Sequence, residues 1–569
     1  FFIIKIYFME VKDYEKKSLW NYINNFNFYD VCAVYIYAAT VVDSGTCGDN
    51  ATWSLNSSGT LTISGTGEIY DGYGENSEQP WYNLKDNIKS VVINYGITNI
   101  PFAAFRDFQN ITSISLSNSI ERIELGAFIN CTKLSDVSIP DSCKYLANDA
   151  FARTKWYNNQ PNGVVYCGNF LYTYKGTMPS NTSINVKNGT IGICGGFYNE
   201  SNLVSVTFPN TLEYIDNRAF SYCTGLTSIT LLKNIGTEAF SNCQNLKNIT
   251  LPDNVEYIGR LAFSDTAWYN NQSNGLVYLN NWLLTLKGDT IKQANTITVK
   301  NNTIGIAVNA FGDDEYYIYD ELGDGAHAST INLPNSIKYI NDDAFSKCRY
   351  LTKINIPDGV ETLNCFSHCK SLASINIPDS VKTLGGFYDT ALTNITIPPN
   401  VTEIMQSAFL SCTSLKELSI PVSVTKIDNG AFDGCTTLTD VYYSGTKEQW
   451  DNINIDTRYD SNAPLLNATI HFAKEITNKP VITSSQVTKT NNTYTFNVNV
   501  SDVTSDCELI VVLYKNGKVA NVKTTTLTSN ATNNKTLNLT ATNADSAKIF
   551  IWDSLKNMIP LCNAVTKNL

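Results

Sequence analysis

A 23-residue period constrains this chain more than any other feature of its 569 residues. The stretches LTNITIPPNVTEIMQSAFLSCTS (392–414) and LKELSIPVSVTKIDNGAFDGCTT (415–437) share one skeleton. Leu392, Ile395, Ile397, Pro398, Val401, Ile404, Ala408, Phe409 and Cys412 each recur 23 residues later. Copies begin at Ile88, Ile111, Leu134, Leu203, Leu246, Ala328 and Leu351. Shortened or eroded copies begin at Asn181, Leu226, Ala294 and Leu372, which makes thirteen units. The opening L-x-x-I-x-I-P alternates as a short strand with one inward face does. Pro then ends the strand, having no N–H to give a ladder. The second half, V-x-x-I-x-x-x-A-F-x-x-C, turns back and delivers a Phe to the interior. One unit cannot bury its own apolar face, but stacked units share a continuous core, so the period predicts a solenoid. The repeated residues are scaffold, and function has to be sought elsewhere.

Composition sets the outer limits. Lys and Arg total 41 against 52 Asp and Glu, a formal charge of −11, which argues against the basic stripe that nucleic-acid binding needs. With 43% hydrophobic residues a large core is available and wholesale disorder is excluded. No run reaches the ~18 apolar residues of a membrane-spanning helix. The 15 cysteines are an odd number, so a fully paired disulfide framework is impossible. Seven of them (Cys131, Cys223, Cys243, Cys348, Cys369, Cys412 and Cys435) hold one fixed place in the repeat and read as small buried thiols.

The pattern I-P-x-x-V-x-x-I-x-x-x-A-F-x-x-C resembles the BspA-like class of leucine-rich repeats, over roughly residues 41–474. GTCGDNATWSLNSSGTLTISGTGEI (45–69) resembles the segment that opens such arrays. LTDVYYSGTKEQWDNINI (438–455) with LLNATIHF (465–472) resembles their closing unit. The resemblance implies a mainly β chain built on a right-handed leucine-rich repeat solenoid. It also implies a secreted or cell-surface location in a bacterium or protist, and adhesion to host matrix proteins, mucins or other bacteria. The expected plan is a cap at 41–87, the solenoid at 88–437 and a second cap at 438–474. Insertions are expected at 157–180, 269–293 and 317–327. Residues 1–40 read as a degenerate export signal or leader: Val31–Ala39 ends in small residues, but Asp13, Glu15 and Asp30 interrupt any hydrophobic region.

Two of the insertions match each other. WYNNQPNGVVYCGNFLYTYKG (156–176) aligns with WYNNQSNGLVYLNNWLLTLKG (268–288), 112 residues on. Each reads as an aromatic β-hairpin, turning at Cys167-Gly168-Asn169 and at Asn280-Asn281. Such aromatic strands are expected to pack along the solenoid edge, with ligand gripping as the other option. From about 475 the segments TYTFNVNVS, CELIVVLYKNGKVANVKTTTL, KTLNLTATN and AKIFIWDS alternate like sandwich strands, with Lys515-Asn516-Gly517 as a turn. This tail resembles small immunoglobulin- or fibronectin-type modules. Spacing alone leaves open whether Cys507 pairs with Cys562.

The strongest functional feature is the fifth position of each unit, which lies between two inward residues and must point outward. Its occupants in twelve of the thirteen units are Ser115, Ser138, Asn185, Thr207, Thr230, Thr250, Thr298, Asn332, Asn355, Asn376, Thr396 and Ser419. None is charged, aromatic or large. Such a lane can engage a protein strand or a glycan, or its members can simply pair along the ladder. The acidic stretch GDDEYYIYDELGDG (312–325) offers Asp313, Asp314, Asp320 and Asp324 as weak calcium candidates, although it lacks the calcium-loop spacing. Cys365, His368 and Cys369 form C-x-x-H-C, but the two cysteines occupy core places of the repeat, which disfavours zinc. The only histidines are His327, His368 and His471, none beside a nucleophile element of known type, and phosphate-cradling loops are absent. The sequence therefore points to a non-enzymatic extracellular binding protein, with no cofactor and with protein or glycan partners. A structural spacer presenting the tail module is the alternative, and a carbohydrate-active enzyme a weaker one.

Overall fold

The structure, a computed structural model, describes residues 40–70, 79–312, 325–458, 461–472, 480–501, 503, 506–529, 533–552 and 564–569. The expected leader, the calcium candidates Asp313, Asp314, Asp320 and Asp324, and Cys562 lie outside the described residues. The chain divides into two units at Gly176/Thr177.

The first unit opens with an antiparallel meander, Val41–Thr46, Asn50–Asn56 and Thr60–Thr66. Alternation sends Trp53, Leu55, Leu61 and Ile63 inward. Ser90–Ile93 and then Ser113–Leu116 add to this sheet in parallel, in the register Ile63–Ile93–Leu116. The meander thus converts a free sheet edge into the template for the first coil. A second parallel ladder joins Asn99–Ile100, Arg122–Ile123 and Tyr145–Leu146. Coils such as those starting at Ile88 and Ile111 therefore carry two strands, because V-x-x-I is itself a short strand on a second face, where the sequence suggested only a return turn. Between them the Pro carbonyl closes a turn, as when the Val401 N–H donates to the Pro398 oxygen at 3.1 Å.

The A-F segment makes the third side. The Phe N–H donates to the carbonyl of the next coil's Ala, from Phe105 to Ala127 at 2.8 Å and from Phe409 to Ala431 at 2.7 Å. Flanking residues take left-handed backbone: one before Ala-Phe (Asp149, Arg218, Leu261, Ser407, Gly430) and one two residues after Phe (Asn130, Asn199, Asn242, Asp389, Gly434). Asn and Asp recur at the second place because they tolerate that conformation. The Phe rings then stack, with Phe105–Phe128 at 5.0 Å and Phe128–Phe151 at 5.4 Å in the first unit. In the second unit Phe197–Phe220 lie at 5.0 Å and Phe387–Phe409 at 5.3 Å. All of these rings are fully buried.

The seven column cysteines are buried thiols, and each donates its S–H to the carbonyl of a Phe in the preceding coil. Examples are Cys243 to Phe220 at 3.0 Å and Cys435 to Phe409 at 3.1 Å. That contact gives the column a reason to be Cys rather than Ala: a donor small enough for the core. In the second unit the array ends at the strand Thr469–Phe472 and the short helix Lys447–Asp451. The helix carries a Thr446/Gln449 capping box and tucks Trp450 edge-on against Tyr443 at 5.2 Å. The last coil's apolar side is covered in this way.

Beyond residue 480, Val481–Thr490, Thr493–Ser501 and Asn533–Thr540 form one antiparallel sheet. Lys518–Leu527, Cys507–Lys515, Ser546–Trp552 and Val565–Asn568 form another, in that order. Phe496, Val498, Leu509, Val511, Leu537 and Ile549 share one core between them, and Cys507 is buried in it. Lys515 pairs with Lys518 across Asn516-Gly517, both residues at positive φ, which is the turn that Asn-Gly favours.

Candidate functional site

The outward lane faces solvent along most of its length. Eleven of its twelve residues are exposed, and Ser419 alone is half-buried. Within the second unit Asn185–Thr207, Thr230–Thr250, Thr298–Asn332 and Thr396–Ser419 stand directly opposite one another on parallel strands. Ser138, Asn355 and Asn376 are exposed but fall outside the regular strands. Two cross-strand pairs bond to each other: Thr207 Oγ1 donates to Asn185 Oδ1 at 2.7 Å, and Asn332 Nδ2 to Thr298 Oγ1 at 3.1 Å. The other lane positions carry no such pairing in common, so most of their polar groups face solvent.

The lane does not stop at Ser419. The next two strands, Asp440–Tyr443 and Thr469–Phe472, continue the register as Ser419–Tyr442–His471. The Tyr442 and His471 rings stack at 4.7 Å and 15°. His471 Nε2 lies 2.7 Å from Asp440 Oδ1, while Thr439 Oγ1 donates to Asp440 Oδ2 at 2.8 Å. The hydrogen bond from His471, with help from Thr439, holds the Asp440 carboxyl below the usual aspartate value. Sequence reading missed these residues, although counting one more period from Ser419 lands on Tyr442.

With this geometry in place, the chain can be set beside known proteins. The family description "BspA type Leucine rich repeat region (6 copies)" matches residues 77–176, 171–273 and 317–439. The chain belongs to the BspA-type leucine-rich repeat family. Its array is similar to the crystal structure of a leucine rich cell surface protein from Faecalibacterium prausnitzii A2-165. The identity is 23%, over 73% of this chain and 98% of that one, with a TM-score of 0.25. A leucine-rich repeat protein from Bacteroides ovatus ATCC 8483 is 24% identical over 75% of this chain and 99% of that one, with a TM-score of 0.26. No match was found among curated proteins.

In this BspA-type array the two aromatic insertions serve packing. Each begins with a Thr-capped short helix, Lys155–Asn159 or Ala267–Asn270, and continues into a hairpin with a two-residue turn. The first turn is Gly168-Asn169, since Cys167 is paired with Phe170 and lies inside the strand. Trp156 packs edge-on against Phe151 at 5.9 Å, and Trp268 against Phe263 at 6.2 Å. Trp282 stacks on Tyr339 at 5.9 Å. The matching lysines close the helices: Lys287 Nζ donates to the carbonyls of Tyr269, Asn270 and Gln272 at 2.8–3.1 Å, and Lys175 to those of Tyr157, Asn158 and Gln160. These rings are therefore committed to the scaffold and offer little to a ligand.

The C-x-x-H-C motif divides between core and surface. Cys365 and Cys369 point into the core, with burial pushing both thiols well up, while His368 Nδ1 meets Asp389 Oδ2 at 2.9 Å near the surface. The three groups do not converge. Among the described residues no group of three His, Cys, Asp or Glu could hold a metal ion. Among the same residues no helix is long and apolar enough to cross a membrane.

Proposed function

We propose that this chain is an extracellular, non-enzymatic binding protein, an adhesin whose repeat sheet meets host or microbial surface proteins or glycans with its outer face. The observation that carries this reading is the lane of exposed Ser, Thr and Asn side chains, followed by the exposed Tyr442–His471 stack. It is an extended surface with no repeat-core duty, and solenoids use such faces for binding. The implied kinship with secreted arrays and the weakly charged, hydroxyl-rich composition agree with an extracellular location. The non-enzymatic part rests on His368 and His471, which meet surface carboxylates and tyrosine rings rather than a nucleophile. The tail is proposed to be a fibronectin-type sandwich. Its first, second and fifth strands form one sheet and its fourth, third, sixth and seventh the other, around a single core.

One specific observation favours the spacer reading. The Thr207–Asn185 and Asn332–Thr298 bonds satisfy lane side chains within the protein. The experiment that separates the two is binding of the full chain to matrix proteins, mucins and glycans, repeated with Thr230→Arg and Asn355→Arg. An adhesin loses saturable binding in the variants at unchanged stability. A spacer binds nothing through this face and is indifferent to both changes.

A further inference from the structure

Resting on the outer face being a binding surface, we propose that its C-terminal end is a saccharide-stacking platform for a neutral glycan, with Tyr442 as its wall. Parallel strands stand ~4.8 Å apart. The Tyr442 and His471 rings, on adjacent strands at directly opposite positions, have centroids 4.7 Å apart and planes within 15°. The rings therefore stand on the sheet with their faces turned along the ladder. One face of Tyr442 lies against His471; the other looks over Ser419 and Thr396, whose side chains are too short to reach it. Ser419 is half-buried where the other lane residues are exposed, as expected at the foot of a standing ring. Tyr442 itself is 42% exposed. His471 supports the ring from behind and is fixed in turn by Asp440 and Thr439.

An aromatic wall rising from a flat polar floor suits a sugar, which has an apolar C–H face and a rim of hydroxyls. The floor supplies Ser419 and Thr396 hydroxyls and the Asn394 amide, spaced by one strand, close to the length of one pyranose residue. Glu417 and Asp440 flank the row on the same face, opposite each other on their strands. These carboxylates accept hydroxyl protons and repel sulfate or carboxylate, which selects neutral over acidic glycans. A protein partner would look for apolar anchors in desolvated pockets, and the floor beside Tyr442 offers only hydroxyls and an amide.

The test uses the full chain against an array of neutral oligosaccharides, sulfated glycosaminoglycans and matrix proteins. Wild type is compared with Tyr442→Ala, Tyr442→Phe, Thr396→Arg and Thr230→Arg, each checked for wild-type thermal unfolding. Neutral-glycan binding is expected, kept by Tyr442→Phe, weakened about tenfold or more by Tyr442→Ala, and blocked by Thr396→Arg, which covers the floor and leaves the wall. Glycan binding unchanged in Tyr442→Ala overturns the proposal. So does binding confined to proteins or sulfated chains; if Thr230→Arg abolishes that binding, the adhesin reading stands without the platform. No binding of any class overturns both.

Discussion

Replacing Gly430 tests whether backbone handedness, rather than side-chain fit, fixes the A-F turn. Gly430 sits before Ala431-Phe432 at φ +65°. A methyl group there would meet nothing nearer than Ser407 Oγ at 3.7 Å. Space is available, so any cost must come from the left-handed conformation itself. That conformation costs an L-residue ~1–2 kcal/mol, offset by ~0.4–1 kcal/mol from the stiffer unfolded chain. Gly430→Ala should therefore lose ~1 kcal/mol. Gly430→Asn should lose less, because Asn tolerates this region, and Gly430→Val more, because β-branched residues rarely enter it. A solenoid this long opens coil by coil, so a single global midpoint is the wrong readout. Hydrogen exchange of the Phe409 amide is the right one, since that N–H donates to Ala431 in the altered coil. It should exchange about fivefold faster in Gly430→Ala, following ~1 kcal/mol. In the preceding coil Ser407, at φ +55°, holds the same place, and Ser407→Gly should leave stability unchanged or slightly raise it. Equal exchange in the Ala, Asn and Val variants and wild type would refute the argument.

Two further outcomes follow from the thiol column and from the end of the lane. Burial pushes the thiols of Cys131, Cys243 and Cys435 up to about 12, so iodoacetamide at pH 8 should label them only after unfolding. Rapid labelling of the native protein at any of the three would show that the column is not closed. The Asp440 carboxyl is held below its ordinary value by His471, so the pair contributes above the ordinary aspartate value of about 3.9 and is lost as pH falls through the lowered one. The Asp440 side-chain carboxyl signal in NMR should show that step below pH ~4; a step at or above it would contradict the contact.

Much of the array was legible because a period converts a weak local signal into a strong one. Leu392, Ile395, Val401 and Phe409 are individually unremarkable apolar residues, yet their recurrence at Leu415, Leu418, Val424 and Phe432 leaves one economical way to bury them all. The lane followed from strand alternation alone, and eleven of its twelve residues are exposed. Ser419, half-buried, stands opposite Tyr442 across the ladder, a position that the count stopped short of. The hairpins were legible from Asn280-Asn281 and Gly168-Asn169, but not the use of Lys175 and Lys287 to close helix ends, which depends on a helix and a strand meeting in space.

The sequence by itself determined the coil: its length, its inward residues, its strand before Pro and its buried Phe and Cys columns, all set by spacing along the chain. Tertiary structure decided what joins one coil to the next. That V-x-x-I is a second ladder, that Cys243 donates to Phe220 and that Tyr442 stands on His471 are contacts between residues about twenty to thirty apart. Side-chain pairing across strands depends on register and on which face a residue takes, and both are settled only when the coils stack.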